Sequence, residues 1–140
     1  MLTIRYQAKR RYRSVVLCAT VSNTYLPVLV WLKERWGGTI STPKQAKSQK
    51  HKVSHLWMTA SRKAAIFLTD VSPFVRVKRG QVDNALAFQA TKRPRGAGRK
   101  RLTDAEWAGA LAFLRRQRQL NARGPAVRVA LDASWGPRGE

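Results

Sequence analysis

Metal-assisted cleavage of a phosphodiester calls for clustered carboxylates, and this chain has only seven Asp and Glu among its 140 residues. Glu34, Asp70 and Asp83 are isolated from one another along the sequence. Only Asp104 and Glu106 come close, and Glu106 follows Thr103 at the spacing of a helix capping box. His51 and His55 sit at H-x-x-x-H spacing, with no cysteine or acid nearby to complete a metal site. The chain is instead rich in cationic and hydrogen-bonding side chains in alternation. Arg5, Gln7, Lys9, Arg11 and Arg13, followed by Ser14 and Thr20, set donors along an extended segment. A two-stranded ribbon of this kind fits the major groove of duplex DNA, where alternate side chains reach base edges. His55 and Trp57 would add aromatic surface to the same face.

Charge narrows the partner class further. Lys and Arg number 28 against 7 Asp and Glu, a formal net charge of +21. Repulsion of that size opposes folding unless a polyanion relieves it. Nucleic acid is the leading candidate, double-stranded DNA first and RNA as an alternative. No helix pairs a basic face with a clean apolar one, which disfavours an anionic membrane. No apolar run is long enough to span a bilayer, and "SVVLCATV" is too short and too late for a secretory signal. A lone Cys18 cannot form an internal disulfide, so the expected location is intracellular rather than secreted.

The elements that would position these residues follow from periodicity. Residues 2–9 alternate as a half-buried strand, with Leu2, Ile4, Tyr6 and Ala8 inward. Residues 13–21 return as a second strand with Val15, Leu17, Ala19 and Val21 inward. "SNTYLPVLVWLKERWGG" reads as a helix, capped by Ser22, Asn23 or Thr24, with Pro27 in its first turn and Gly37 at its end. Strands near 38–43 and 53–59 follow, with Ile40, Leu56 and Met58 inward and Thr39, Ser41, His55, Trp57 and Thr59 outward. Ser61 would cap a helix over 61–70, Ser72-Pro73 breaks it, and another helix spans 76–90. The order predicts an α+β fold: a four-stranded antiparallel, saddle-like sheet with helices on one face and the other face polar and basic. Residues 1–90 form the expected core and 91–101 a basic linker that includes Arg95, Arg99 and Lys100. A C-terminal helix over 102–123 and a flexible tail over 124–140 complete the expected organisation.

"VSNTYLPVLVWLKERWGGTI" and "LWMTASRKAAIFLTDVSPFVRVKRGQVDNALAFQ" resemble the LAGLIDADG homing endonucleases, in particular the single-motif, homodimeric type. The likeness lies in a polar step into a helix ending aromatic-Gly-Gly, and in a strand–helix unit followed by Pro73, Phe74, Lys78 and Gln81. It implies an α-β-β-α-β-β-α fold with a saddle-shaped sheet in the DNA major groove. By the same resemblance, Arg5, Gln7, Lys9, Ser14, Val16, Cys18 and Thr20 match groove-facing positions of the first hairpin. Ser41, His55 and Trp57 match those of the second. Lys78 matches the basic residue supporting the attacking water, and Asn23 a polar position of the same catalytic pocket. The family's first helix, which carries the Mg²⁺-binding acid and the dimer interface, has no match, since Met1 falls about where that motif ends. The resemblance therefore implies DNA binding, with Mg²⁺-dependent cleavage only if an acidic helix comes from upstream sequence or a partner chain. A maturase-like RNA-binding protein and a regulatory partner of a full-length relative are the alternatives.

Overall fold

Alternation at residues 2–9 produces the first hairpin of the computed structural model, which describes residues 2–9, 13–43, 52–93 and 101–122. Leu2–Lys9 (β1) pairs antiparallel with Ser14–Asn23 (β2), with Ile4 opposite Ala19 and Gln7 opposite Val16. The chain then enters Leu26–Trp36 (α1), whose Pro27 occupies the first turn and whose C-cap is Gly37 at φ 72°. Thr39–Ser41 (β3) and His55–Ala60 (β4) form the second antiparallel pair, and β4 also pairs with β2. Ser61–Val71 (α2), a 3₁₀ turn at Ser72–Phe74, Arg79–Ala90 (α3) and Asp104–Asn121 (α4) follow. The sheet order is β1-β2-β4-β3 with every pair antiparallel, and the α+β class is as expected.

All four helices cover one side of this sheet. Ile4, Val15, Leu17, Ala19 and Trp57 point into a core closed by Leu29 and Leu32 of α1 and Phe67 and Leu68 of α2. Val82 and Phe88 of α3 and Ala110 and Leu114 of α4 complete it. Gly38 shows how tight the β3–β4 end is. At φ 93°, a Cβ there would stand 2.4 Å from the Met58 carbonyl oxygen, so only glycine fits.

The inward set of β4 differs from the expected one. Trp57 is fully buried; its indole Nε1 donates to the Gly37 carbonyl at 2.8 Å and its ring meets Phe67 at 4.9 Å. Trp57 pairs with Val21 and Ile40, both on the helix side, so Leu56 and Met58 turn outward with Ser22 and Thr20. Alternation in "HLWMTA" favours Leu56 and Met58, but the Trp57 ring packs on Phe67 and its N–H finds the Gly37 carbonyl, so its parity is the buried one.

Three helix starts are also corrected. Tyr25 is the N-cap of α1 and lacks a side-chain cap; Asn23 Oδ1 instead accepts from the Tyr25 N–H at 2.9 Å, turning the chain. Ser61 is already inside α2 at φ 54°, and Ala60 takes the cap position. Pro73 diverts the backbone into the 3₁₀ turn and an extended Val75, so α3 starts at Arg79 rather than 76.

At α4 the expected capping box is present. The Glu106 N–H donates to Thr103 Oγ1 at 3.2 Å, and the Thr103 N–H donates to Glu106 Oε2 at 2.8 Å. Arg93 adds a fork, Nε to Oε1 at 2.9 Å and Nη2 to Oε2 at 2.5 Å. The Arg93 bonds, then the Thr103 N–H, hold the Glu106 carboxyl down to about 2 from an ordinary 4.5. A depressed carboxyl supports the fold fully above 4.5 and loses that support as pH falls toward 2. A carboxyl-carbon NMR titration of Glu106 should therefore find its midpoint near 2, and Arg93→Ala should move that midpoint toward 4.5. An unmoved midpoint in the variant would show that Arg93 is not the cause.

A buried polar network fixes α4 to the sheet. Gln117 is 1% exposed; its Oε1 accepts from Asn84 Nδ2 at 2.8 Å and its Nε2 donates to the Ile4 carbonyl at 3.4 Å. Asn121 Nδ2 donates to that carbonyl at 2.7 Å, and Gln81 Nε2 to the Leu120 carbonyl at 3.0 Å. Tyr6 donates to the Asn84 carbonyl at 3.4 Å, and burial pushes its phenol pKa up.

Candidate nucleic-acid interface

The side of the sheet away from the helices is the candidate surface. Strand pairing brings Thr3, Thr20, Met58 and Thr39 into one row across it, and Ser22, Leu56 and Ser41 into the next. Nearer the β1–β2 turn lie the pairs Gln7–Val16 and Lys9–Ser14. Three strand-to-strand gaps of about 4.8 Å make the sheet roughly 14 Å wide, close to the roughly 12 Å width of the major groove. Gln7, Thr39 and Ser41 are exposed at the margins, while Val16, Leu56 and Met58 form a half-buried apolar centre. Such a face offers hydrogen bonds to base edges at its rim and apolar contact to thymine methyls at its middle.

Similar architecture is found in solved structures. Homing endonuclease I-CvuI in complex with its target overlays with a TM-score of 0.57 at 14% identity, over 95% of this chain and 85% of that one. The archaeal intron-encoded homing endonuclease I-Vdi141I, complexed with DNA, gives 0.54 at 16%, over 95% and 87%. I-SmaMI, bound to uncleaved DNA with calcium ions, gives 0.56 at 16% over 94% of this chain, which spans 44% of I-SmaMI. The chain has the LAGLIDADG homing-endonuclease fold. No family model and no curated protein sequence matches it.

On this sheet the expected contact residues, Arg13 apart, divide into four groups. Gln7, Ser14, Val16 and Ser41 lie on the outer face. Cys18 and Thr20 share that face but are only 2% and 4% exposed, and Thr20 Oγ1 is spent on the Thr3 carbonyl at 3.3 Å. They support the surface rather than present to it. His55 and Trp57 are on the helix side, contrary to expectation; Trp57 is core, and His55 Nδ1 bonds Thr42 Oγ1 at 2.9 Å. Leu56 and Met58 take their places, and the signal for them was the alternation of β4 read one residue out of step. Only the backbone of Arg5 and Lys9 is described, and Arg11, Arg95, Arg99 and Lys100 lie outside the described residues.

Arg13 forms an ion pair with Asp104 at the start of α4, and Lys92 Nζ donates to the Val15 carbonyl at 2.5 Å. Both flanks of segment 94–100 thus reach the beginning of β2. Burial lowers the Lys92 pKa, and the Phe88 ring stands 4.7 Å from its ammonium as a cation–π partner.

For the two expected catalytic residues, Asn23 ends β2 and Lys78 precedes α3, where its carbonyl accepts from the Val82 N–H at 3.0 Å. Among the described residues no hydrogen bond joins their side chains, and no group of three or more His, Cys, Asp or Glu could hold a metal ion. Among the described residues, the amide of Asn23 and the ammonium of Lys78 bring no carboxylate for a divalent cation. Among the described residues no helix is long and apolar enough to cross a membrane.

Proposed function

We propose that this chain binds double-stranded DNA with the outer face of its sheet in the major groove. The observation that carries the reading is a sheet buried on one side by four helices and left uncovered by helix on the other, on a chain of net charge +21. The DNA complexes of I-CvuI, I-SmaMI and I-Vdi141I, which share the fold, support it. Affinity comes mainly from phosphate contacts by the basic side chains, Arg11, Arg95, Arg99 and Lys100 among them. Specificity comes from Gln7, Ser14 and Ser41, with Arg5 and Lys9 as further base readers and Val16, Leu56 and Met58 as apolar contacts.

Strand scission is a separate capacity. Lys78 and Asn23 would flank the scissile phosphate, but the metal-holding carboxylates have to come from an acidic helix on further sequence or on a partner chain. Selection from a randomised duplex library tests the binding, and incubation of the enriched duplex with Mg²⁺ tests the scission. A duplex motif should be enriched, and this chain by itself should leave the duplex intact. Reproducible double-strand cuts would overturn the reading of the pocket, and no enrichment would overturn the reading of the sheet.

A further inference from the structure

Helix α1 carries an aromatic surface that the core does not absorb. Trp31 is 55% exposed and meets Trp36 edge-to-face, with ring centroids 5.4 Å apart. Trp36 is firmly held: its Nε1 donates to Asp70 Oδ2 at 2.8 Å and its ring rests on Phe67 at 5.1 Å. Trp31 is therefore the solvent end of a ladder of rings that runs through Trp36 and Phe67 to buried Trp57. A half-exposed indole braced edge-to-face on a held ring is a platform, since part of its freedom is already lost when something stacks on it.

Cations lie beside Trp36, the next ring of the ladder, whose indole N–H is held by Asp70. The Arg35 guanidinium lies 5.5 Å from the centre of the Trp36 ring. Lys63 Nζ would be 3.1 Å from a Cβ placed on Gly37, next along the chain from Trp36. Lys33 and Arg35 in the last turn of α1 are accounted for by its helix dipole. Arg62 is not: it sits in the first turn of α2, where the dipole disfavours positive charge and no acid offsets it, while Lys63 in the same turn reaches across to the C-cap of α1 at Gly37. Leu29 and Leu32 bury the opposite side of α1 against the core, so this rim lies in the helix layer, behind the sheet rather than on its outer face.

We propose that the α1–α2 rim is a second nucleic-acid site that takes a single-stranded polynucleotide. An unpaired base stacks on Trp31, and Arg35 and Lys63 hold the phosphates on either side of it. Interleaved aromatic and basic side chains are what single strands require, because every base has a π-face to offer. Duplex is refused here, since its bases are already stacked on one another. Single-stranded RNA and DNA share this chemistry, and the site is independent of the outer sheet face.

The test is anisotropy with fluorescein-labelled oligo(rU) and oligo(dT) on the full chain, with a labelled duplex measured in parallel. Trp31→Ala should weaken both oligonucleotides roughly 10-fold, Trp31→Phe should recover part of the loss, and duplex affinity should not change. Joint replacement of Arg35 and Lys63 by alanine should reduce the salt slope for the single strand by roughly 1.4. Saturating duplex should leave the oligonucleotide bound. Tighter binding of oligo(rU) than of oligo(dT) identifies RNA as the source, and equal binding identifies single strands of either kind. No binding of either oligonucleotide overturns the proposal, as does a Trp31→Ala variant equal to the parent or complete displacement by duplex. Because Trp31 is exposed, its variants should keep the parent's unfolding midpoint, which the duplex measurement also checks.

Discussion

Trp57→Ala should destabilise the protein by about 3–5 kcal/mol. The high end is expected, because the variant loses both the Phe67 packing and the bond to the Gly37 carbonyl. A domain of this size has only about 5–15 kcal/mol to lose. Replacing its half-buried neighbours should have little effect: Leu56→Gln or Met58→Gln is expected to cost less than about 1 kcal/mol. Urea unfolding of the three variants decides the register of β4. If Leu56→Gln proves as damaging as Trp57→Ala, the strand faces the other way. The same comparison bears on DNA, because the tolerated Leu56 and Met58 variants should alter which duplex is bound while Trp57→Ala should alter how much protein is folded.

The second large effect is that of salt. If the chain neutralises 6–10 phosphates, duplex affinity should fall about 10³–10⁵-fold between roughly 50 and 200 mM monovalent salt. The slope of log affinity against log salt should then lie between about −5 and −9. Gln7→Ala should leave that slope unchanged, because Gln7 carries no charge, while relaxing discrimination at one base pair by about 1–3 kcal/mol. A slope shallower than about −3 would contradict an interface dominated by phosphate contacts.

The sequence and the structure agree most closely where a local rule has a single solution. Pro27 and Gly37 bracket α1, and Thr103 with Glu106 marks the first turn of α4, because capping and backbone chemistry act over a few residues. β1 and the inward half of β2 are legible from alternation for the same reason. β4 is not, since its alternation favours Leu56 and Met58 and only pairing of Trp57 to Val21 and Ile40 reveals the buried face. Gln117 and Asn84 look like surface positions in the sequence, and their bonds to each other and to the Ile4 and Phe113 carbonyls make their burial tolerable. The burial of Cys18 and Thr20 on the outer face depends on packing that no spacing rule predicts.

The bonds from Gln117 and Asn121 to the Ile4 carbonyl join residues 113 and 117 positions apart, and β1 is an edge of the sheet. This gives the fold a timetable. During synthesis at about 5–20 residues per second, β1 is made roughly 6–23 s before the helix that closes its edge. Throughout that interval its outward carbonyls can pair with any neighbouring strand, including the β1 of another nascent copy. Yield in the cell should thus depend on how quickly translation reaches residue 121, and slowing the ribosome within α4 should send more of the protein into aggregates than slowing it within α1.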